Sequence, residues 1–220
     1  MMNGKKQHIF WRGFFYLCGV LMLSVGVTLC TRSGLGISPI TSLPYAIANA
    51  LDVSFPVVTG VVYCIMVACQ FCIRGKKNRN WFDLLQLPFS VFFSAALEWF
   101  GRLFSFQFSH FWQNFLLLLG ATLLVGIGAA ITVDMRLVPN PPDGMMYAIS
   151  ERTGKDLGLI KNIIDAICVC ISLVLDLTSS GKLVSVGIGT VVGMIFLGRI
   201  IYLFNRLFRK KMEILAGISA

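Results

Sequence analysis

Pro39-Ile-Thr-Ser-Leu-Pro-Tyr-Ala-Ile47 and Pro141-Pro-Asp-Gly-Met-Met-Tyr-Ala-Ile149 share a proline, a five-residue gap and the tripeptide Tyr-Ala-Ile, at a constant offset of 102 residues. Carried outward, the same offset aligns residues 21–68 with 123–170 without a gap. It brings Leu21 onto Leu123, Gly26 onto Gly128, Leu35 onto Leu137, Ile65 onto Ile167 and Val67 onto Val169. The chain therefore reads as an internal duplication, and what surrounds each copy decides what kind of fold is duplicated.

The surroundings are apolar. Of 220 residues 56% are hydrophobic and 13% charged, with a mean hydropathy of +0.79, where soluble chains carry about a quarter charged residues. Such a composition predicts an integral membrane protein with the lipid bilayer as its principal partner. The net charge of +9 does not indicate nucleic acid, because the cations gather at the ends of apolar stretches, where they set orientation. The seven cysteines lie mostly inside those stretches and read as small packed hydrophobes. Cys69-Gln-Phe-Cys72 has C-x-x-C spacing, but no histidine is near and its offset mates are Ile171 and Val174, so packing outweighs redox or metal chemistry. The first apolar stretch has spanning length and no small-x-small cleavage site, so it is expected to stay as the first helix.

About twenty residues cross the hydrocarbon, and six stretches qualify, near 10–31, 57–74, 82–104, 113–133, 158–178 and 184–206. The expected fold is all-α and polytopic, with a first repeat over 1–108 and a second over 109–220. Three spans per copy force the second copy to enter from the opposite face, giving inverted repeats related by a pseudo-two-fold axis in the membrane plane. Loop charge fits this: Lys5, Lys6 and Arg12, then Arg74, Lys76, Lys77 and Arg79, then Arg136, Arg152 and Lys155, then Arg206, Arg209, Lys210 and Lys211 fall on one side. Arg32, Arg102 and Lys182 fall on the other. Both termini are expected in the cytoplasm.

Residues 32–56 and 134–157 are too broken by Gly and Pro to span and too apolar for solvated loops, so each reads as a re-entrant segment that dips into the membrane. In the first, Gly34 to Pro39 suits extended chain and Ile40 to Leu51 a short helix capped by Ser38 or Thr41. In the second, Pro139 to Gly144 suits extended chain, Asp143 a cap, and Met145 to Arg152 the short helix. Two such helices would aim their amino termini at the bilayer centre from opposite faces, which is a design for a solute site.

On Gly34-Leu-Gly-Ile-Ser-Pro-Ile-Thr-Ser-Leu-Pro-Tyr-Ala46, and on Pro142-Asp-Gly144 with Gly158-x-x-Lys161-x-x-x-Asp165, the sequence resembles the YczE/YyaS/YitT group of bacterial integral membrane proteins, nearest the YczE-like branch. The resemblance covers essentially the whole chain. It implies a small multi-pass protein of the bacterial cytoplasmic membrane and carries no reaction or substrate with it.

Ionisable residues inside spans cost several kcal/mol when unpaired and are the first functional candidates. Lys161 and Asp165 stand one helical turn apart and can pair, with Asn162 adding an amide. Either they form a structural pin, or Asp165 titrates in a proton- or ion-coupled carrier. Glu98 and Arg199 hold nearly equivalent places in the two copies, and each also reads as an interfacial or snorkelling residue. In the re-entrant segments Ser38, Thr41, Ser42, Asn140, Asp143 and Gly144 are the candidate lining of a cavity, since non-helical backbone survives at depth only where protein or water satisfies it. Helix amino termini favour an anion, while a carboxylate at position 143 favours a cation or zwitterion, so the charge of the solute stays open.

The function expected from this pattern is a secondary transporter of a small polar solute working by alternating access, with proton coupling as an option. The alternatives are a channel of the same inverted architecture and a non-transporting accessory protein. An enzyme is not expected: His8 and His110 are the only histidines, and there is no metal-ligand cluster, G-x-S-x-G nucleophile motif or phosphate loop. No cofactor is implied. A homodimer is compatible with six short spans, but no residue specifies it.

Overall fold

Six helices of the computed structural model, which describes residues 2–75 and 81–218, are long and apolar enough to cross a membrane. Lys76, Lys77 and Arg79 lie outside the described residues. In chain order the helices are α1 (Met2–Ser33), the short α2 (Pro39–Leu51), α3 (Phe55–Arg74), and α4 (Gln86–Leu103), which follows a 3-10 turn at Trp81–Leu85. Then come α5 (Phe111–Asp134), the short α6 (Pro141–Thr153), α7 (Leu157–Ser179) and α8 (Ile188–Phe204). A π turn (Asn205–Arg209) leads from α8 into α9 (Lys210–Leu215). The last span begins later than its hydropathy suggests, because Val184 to Gly187 run outside helix, against the broken segment after α1.

Polarity runs inside out. Val57, Val61 and Ile65 of α3 and Ile163, Ile167 and Ile171 of α7 are exposed, while Ser24, Thr59, Gln70, Gln86, Ser90, Thr122, Ser172 and Asp176 are buried. This is the distribution that lipid selects, since the surrounding solvent is itself apolar. Buried hydroxyls answer to their own helices: Ser24 donates to the Val20 carbonyl, Thr28 to Ser24, Ser90 to Gln86 and Thr122 to Leu118, each 2.7–2.8 Å.

The bundle is built around α1 and α5, which run antiparallel. Arg12 near the start of α1 donates to the Met135 and Arg136 carbonyls just past the end of α5, at 2.7 and 2.6 Å. Midway, glycines bring the backbones into contact: a Cβ on Gly26 would sit 2.7 Å from the Val125 nitrogen and 2.9 Å from the Ala121 oxygen. A Cβ on Gly128 would sit 2.6 Å from the Leu23 nitrogen and 2.7 Å from the Gly19 oxygen. Shifting every partner of the first contact by 102 gives the second.

Other contacts exchange in the same way. Helix α2 packs on α7 as α6 packs on α3, and α1 on α4 as α5 on α8. Ser42 meets Ser172 at 2.9 Å, and the offset positions Gly144 and Gln70 are also in contact. Arg74 pairs with Asp83 across the α3–α4 turn. At the offset positions Asp176 accepts from the backbone and hydroxyl of Ser185 across the α7–α8 turn, both 2.8 Å.

The two broken segments are satisfied differently. After α1, the Ile37 N–H donates to the Ser185 carbonyl, the Gly189 N–H to Leu35 and the Thr190 hydroxyl to Ile37, at 3.2, 2.7 and 2.8 Å. After α5, the carbonyls are taken by Arg12 and by the Tyr16 hydroxyl, which reaches Val138 at 2.9 Å. Both devices meet the requirement that irregular backbone inside a bundle be paired.

The second short helix is longer than its sequence suggests. It starts at Pro141, so Pro141 to Gly144 are helical and not extended, because proline fixes φ near the helical value and needs no N–H in the first turn. Asp143 is consequently in the first turn and Asn140 is the cap position. In α2, Ser38 takes the cap position and Thr41 falls inside the helix. Neither cap residue makes a side-chain capping bond.

Candidate functional site

Each 13-residue short helix is about 20 Å long at 1.5 Å per residue, too short to cross, and its amino terminus ends inside the bundle. Between the two ends lies a cavity of about 260 Å³. Ser38, Ile40 and Thr41 line it from one side and Asn140, Pro142 and Asp143 from the other, over Leu23 and Val27 of α1 and Val125 and Ala129 of α5. These are five pairs of offset mates. Tyr63, Phe93, Tyr147 and Lys161 also line it, with further apolar residues that include Leu197 of α8.

Two further chambers adjoin it. One, of about 230 Å³, is shared by Asn140 and Asp143 with Arg136 and Tyr147. The other, of about 290 Å³, is shared by Ser38 and Lys161 with Asn162, Asp165 and Gly193. A larger hollow of about 870 Å³ between α3 and α4 is lined by Val57, Val61 and Ile65. Those residues are exposed, and the hollow lies on the outer surface of the bundle, away from these polar groups.

The helix ends offer few donors. Pro39, Pro141 and Pro142 have no N–H, the Thr41 and Ser42 N–H groups go to the Ser38 carbonyl at 3.0 and 2.9 Å, and that of Gly144 goes to Asn140 at 2.8 Å. The Thr41 hydroxyl donates to the Ser38 carbonyl at 3.0 Å, which leaves the Ser38 hydroxyl to donate to the Thr41 oxygen at 2.8 Å. Both hydroxyl protons are turned inward. Asn140 Oδ1 is buried without a partner.

Asp143 makes no ion pair among the described residues. Burial pushes its carboxyl up to about 6, against the opposing field of Lys161 and a hydrogen bond from Asn140. The Lys161 ammonium is held by Asp165 at 2.5 Å, and that carboxylate is buried while the lysine is about half exposed. The pair is a charge-assisted contact one turn apart on α7.

The structure thus brings Ser38, Thr41, Asn140, Asp143 and Lys161 to one cavity and sets Asn162 and Asp165 on the chamber beside it. Ser42 is turned to Ser172 instead. Gly144 faces Gln70 and Gln86, where an added Cβ would lie 2.5 Å from Gln70 Oε1 and 2.9 Å from the Gln86 amide. Glu98 pairs with Arg102 at 3.0 Å on the exterior, and Arg199 lies 5.9 Å from the Phe196 ring.

Residues that an inspection of ionisable groups passes over are Tyr63 and Phe93, whose rings stack at 5.7 Å, and Gln70 and Gln86. All four side-chain amide atoms of these glutamines are buried without partners among the described residues. The only sequence signal for them is an amide inside an apolar stretch.

Over 197 residues the chain is 24% identical to the uncharacterized membrane protein YczE of Bacillus subtilis (strain 168), spanning 89% of this chain and 86% of that one. Over 192 residues it is 23% identical to the uncharacterized protein YyaS of the same organism, spanning 86% and 90%. No solved structure matches. A family profile matches residues 10–206, and the chain, a multi-pass membrane protein, belongs to that family of unknown function, DUF6198.

Proposed function

We propose that the protein is a secondary transporter that carries a small solute by alternating access, its two halves lying inverted in a bacterial cytoplasmic membrane with both termini in the cytoplasm. It performs no covalent chemistry on its cargo. The observation that carries the reading is the cavity lined by five pairs of offset mates and closed at both ends by helices that do not cross. Supporting the inversion, the offset mates α1 and α5 run antiparallel through the backbone contacts at Gly26 and Gly128.

In such an arrangement the tightly packed α1–α5 pair serves as the fixed element, and α2 with α7 and α6 with α3 are the pairs that open in turn. Asp143, placed between the central cavity and the chamber shared with Arg136, is the group that would exchange its proton during the cycle. The test is flux in proteoliposomes across a set of solutes under an imposed pH gradient. Saturable, gradient-driven uptake that is lost in Asp143→Asn supports the reading. Its absence across that set, with Asp143→Asn and Asp165→Asn cells indistinguishable from the parent, contradicts it, and flux beyond carrier turnover selects a channel.

A further inference from the structure

We infer that the central cavity is a site for a small organic cation with an apolar body, held at the Asp143 carboxylate in place of a proton. The inference takes the cavity of the transport reading as its starting point and fixes the chemistry of what enters it.

Three observations set the charge. First, the lining has one carboxylate with no ion pair, while the one lysine beside it is committed to Asp165. Lys161, Asp165 and Asp143 together therefore leave one negative charge uncompensated. Second, the two helix ends offer few free protons to an anion. The Ser38 and Thr41 protons are turned inward, Asn140 Oδ1 is buried and free, and three prolines remove N–H groups from the helix ends that would otherwise hold an anion. Third, Tyr63, Phe93 and Tyr147 bring aromatic surface to the wall, which attracts a cation at its face and repels an anion.

The remaining wall fixes the body and size. Leu23, Val27, Val125, Ala129 and Leu197 are apolar, so a fully hydrated inorganic ion gains nothing from them. The volume of about 260 Å³ lies below the usual range of about 300–1,000 Å³ for drug-sized ligands. A quaternary or primary amine on one small ring or short chain has the right dimensions.

The groups that bear on Asp143 can be named helix by helix. Helix α7 brings Lys161 and Asp165, α3 brings Tyr63, α6 itself brings Tyr147, and the α5–α6 link brings Arg136. That arginine is turned to Glu213 at 3.5 Å. Helices α1, α4, α5 and α8 contribute only apolar residues to this wall. A bound cation and a proton therefore compete for one carboxylate, and the exchange needs no other reactant.

The experiment uses the full chain in lipid nanodiscs and benzyltrimethylammonium, which carries a fixed charge and no proton of its own. Calorimetry at pH 7.5 and 5.0 should show binding that weakens about tenfold at the lower pH, as expected for competition with a proton at a group that titrates near 6. Binding at pH 6 should release protons to a buffer dye. Asp143→Asn should abolish both effects, and Asp143→Glu should restore part of them, which separates loss of charge from loss of fold. Phenylacetate and benzyl alcohol, with the same ring and negative or no charge, should not bind. Equal binding of phenylacetate, cation binding unaltered in Asp143→Asn, or no binding of the cation would overturn the inference. Flux in proteoliposomes is read separately. Cation binding without flux would contradict the transport reading and leave the ligand class standing. Flux of a neutral or anionic solute without cation binding would do the reverse.

Discussion

At the scale of single residues, the Asp143 carboxyl is a costly group that the fold tolerates. Its pKa is raised from 3.8 to about 6 by burial, so the folded protein holds the proton more tightly than the unfolded chain. The ionised carboxylate therefore destabilises the fold above pH 6, and this penalty is lost as pH falls from 6 toward 3.8. Asp143→Asn should consequently melt at a higher temperature than the parent at pH 7.5, with the gap closing near pH 4.5. A variant that melts lower at pH 7.5 would show that favourable contacts to the ionised carboxylate outweigh its burial. Glycine supplies a second residue-scale contrast. Gly34 and Gly36 both have positive φ, 63° and 88°, but an added Cβ meets nothing at Gly34 and comes 2.5 Å from the Gly187 nitrogen at Gly36. Gly34→Ala should cost about 1 kcal/mol, the left-handed penalty alone. Gly36→Ala should cost about 2–4 kcal/mol, because the backbone behind it cannot yield. Chemical denaturation in micelles would rank the two. The positions of Asp143 and Thr41 were legible in the sequence as offset mates in broken segments. The mutual hydrogen bond of the Ser38 and Thr41 hydroxyls was not, since it depends on how the backbone turns at the start of the short helix.

At the scale of elements, all six spans were legible because each is an apolar run long enough to cross, and the structure extends several by a few residues. The short helices were less so. Proline was read in the second segment as a sign of extended chain, yet two consecutive prolines at a helix start pre-set φ and remove donors that would be orphaned there, so the helix begins at Pro141. The turns between spans carry the strongest local ties. Asp176, almost fully buried, accepts from the Val184 and Ser185 N–H groups and from the Ser185 hydroxyl at 2.8–2.9 Å. Asp176→Ala leaves these donors unpaired and should cost about 2–4 kcal/mol, whereas Asp176→Asn keeps an acceptor and should cost less. A thermal series on the two variants checks the order. The α1–α5 contact makes a different kind of forecast. Because Gly26 and Gly128 meet the same backbone atoms of mated partners at nearly the same distances, Gly26→Ala and Gly128→Ala should destabilise by amounts within about 0.5 kcal/mol of each other. A much larger effect at one of them would argue against equivalent packing at the axis.

At the scale of the whole molecule, nine identities at one offset carry the reading of a duplication, and contacts at the same offset recur outside the window that aligns. Arg74–Asp83 and Asp176–Ser185 hold the same offset with no residue in common, as do Ser42–Ser172 and Gly144–Gln70. Such equivalences are invisible to a comparison of residue types because each copy solves the same packing problem with different chemistry. The account depends on the two copies exposing one cavity in turn to opposite faces. Labelling of Ser38→Cys and Asn140→Cys, mated positions on that cavity, tests this most directly. The background is a chain with its seven native cysteines replaced, using an impermeant maleimide on each side of oriented vesicles. Alternating access predicts that both positions react from either face, and that a solute favouring one state raises both rates from one face while lowering both from the other. Reaction of both positions from one face only, or rates from the two faces that rise and fall together, would contradict it.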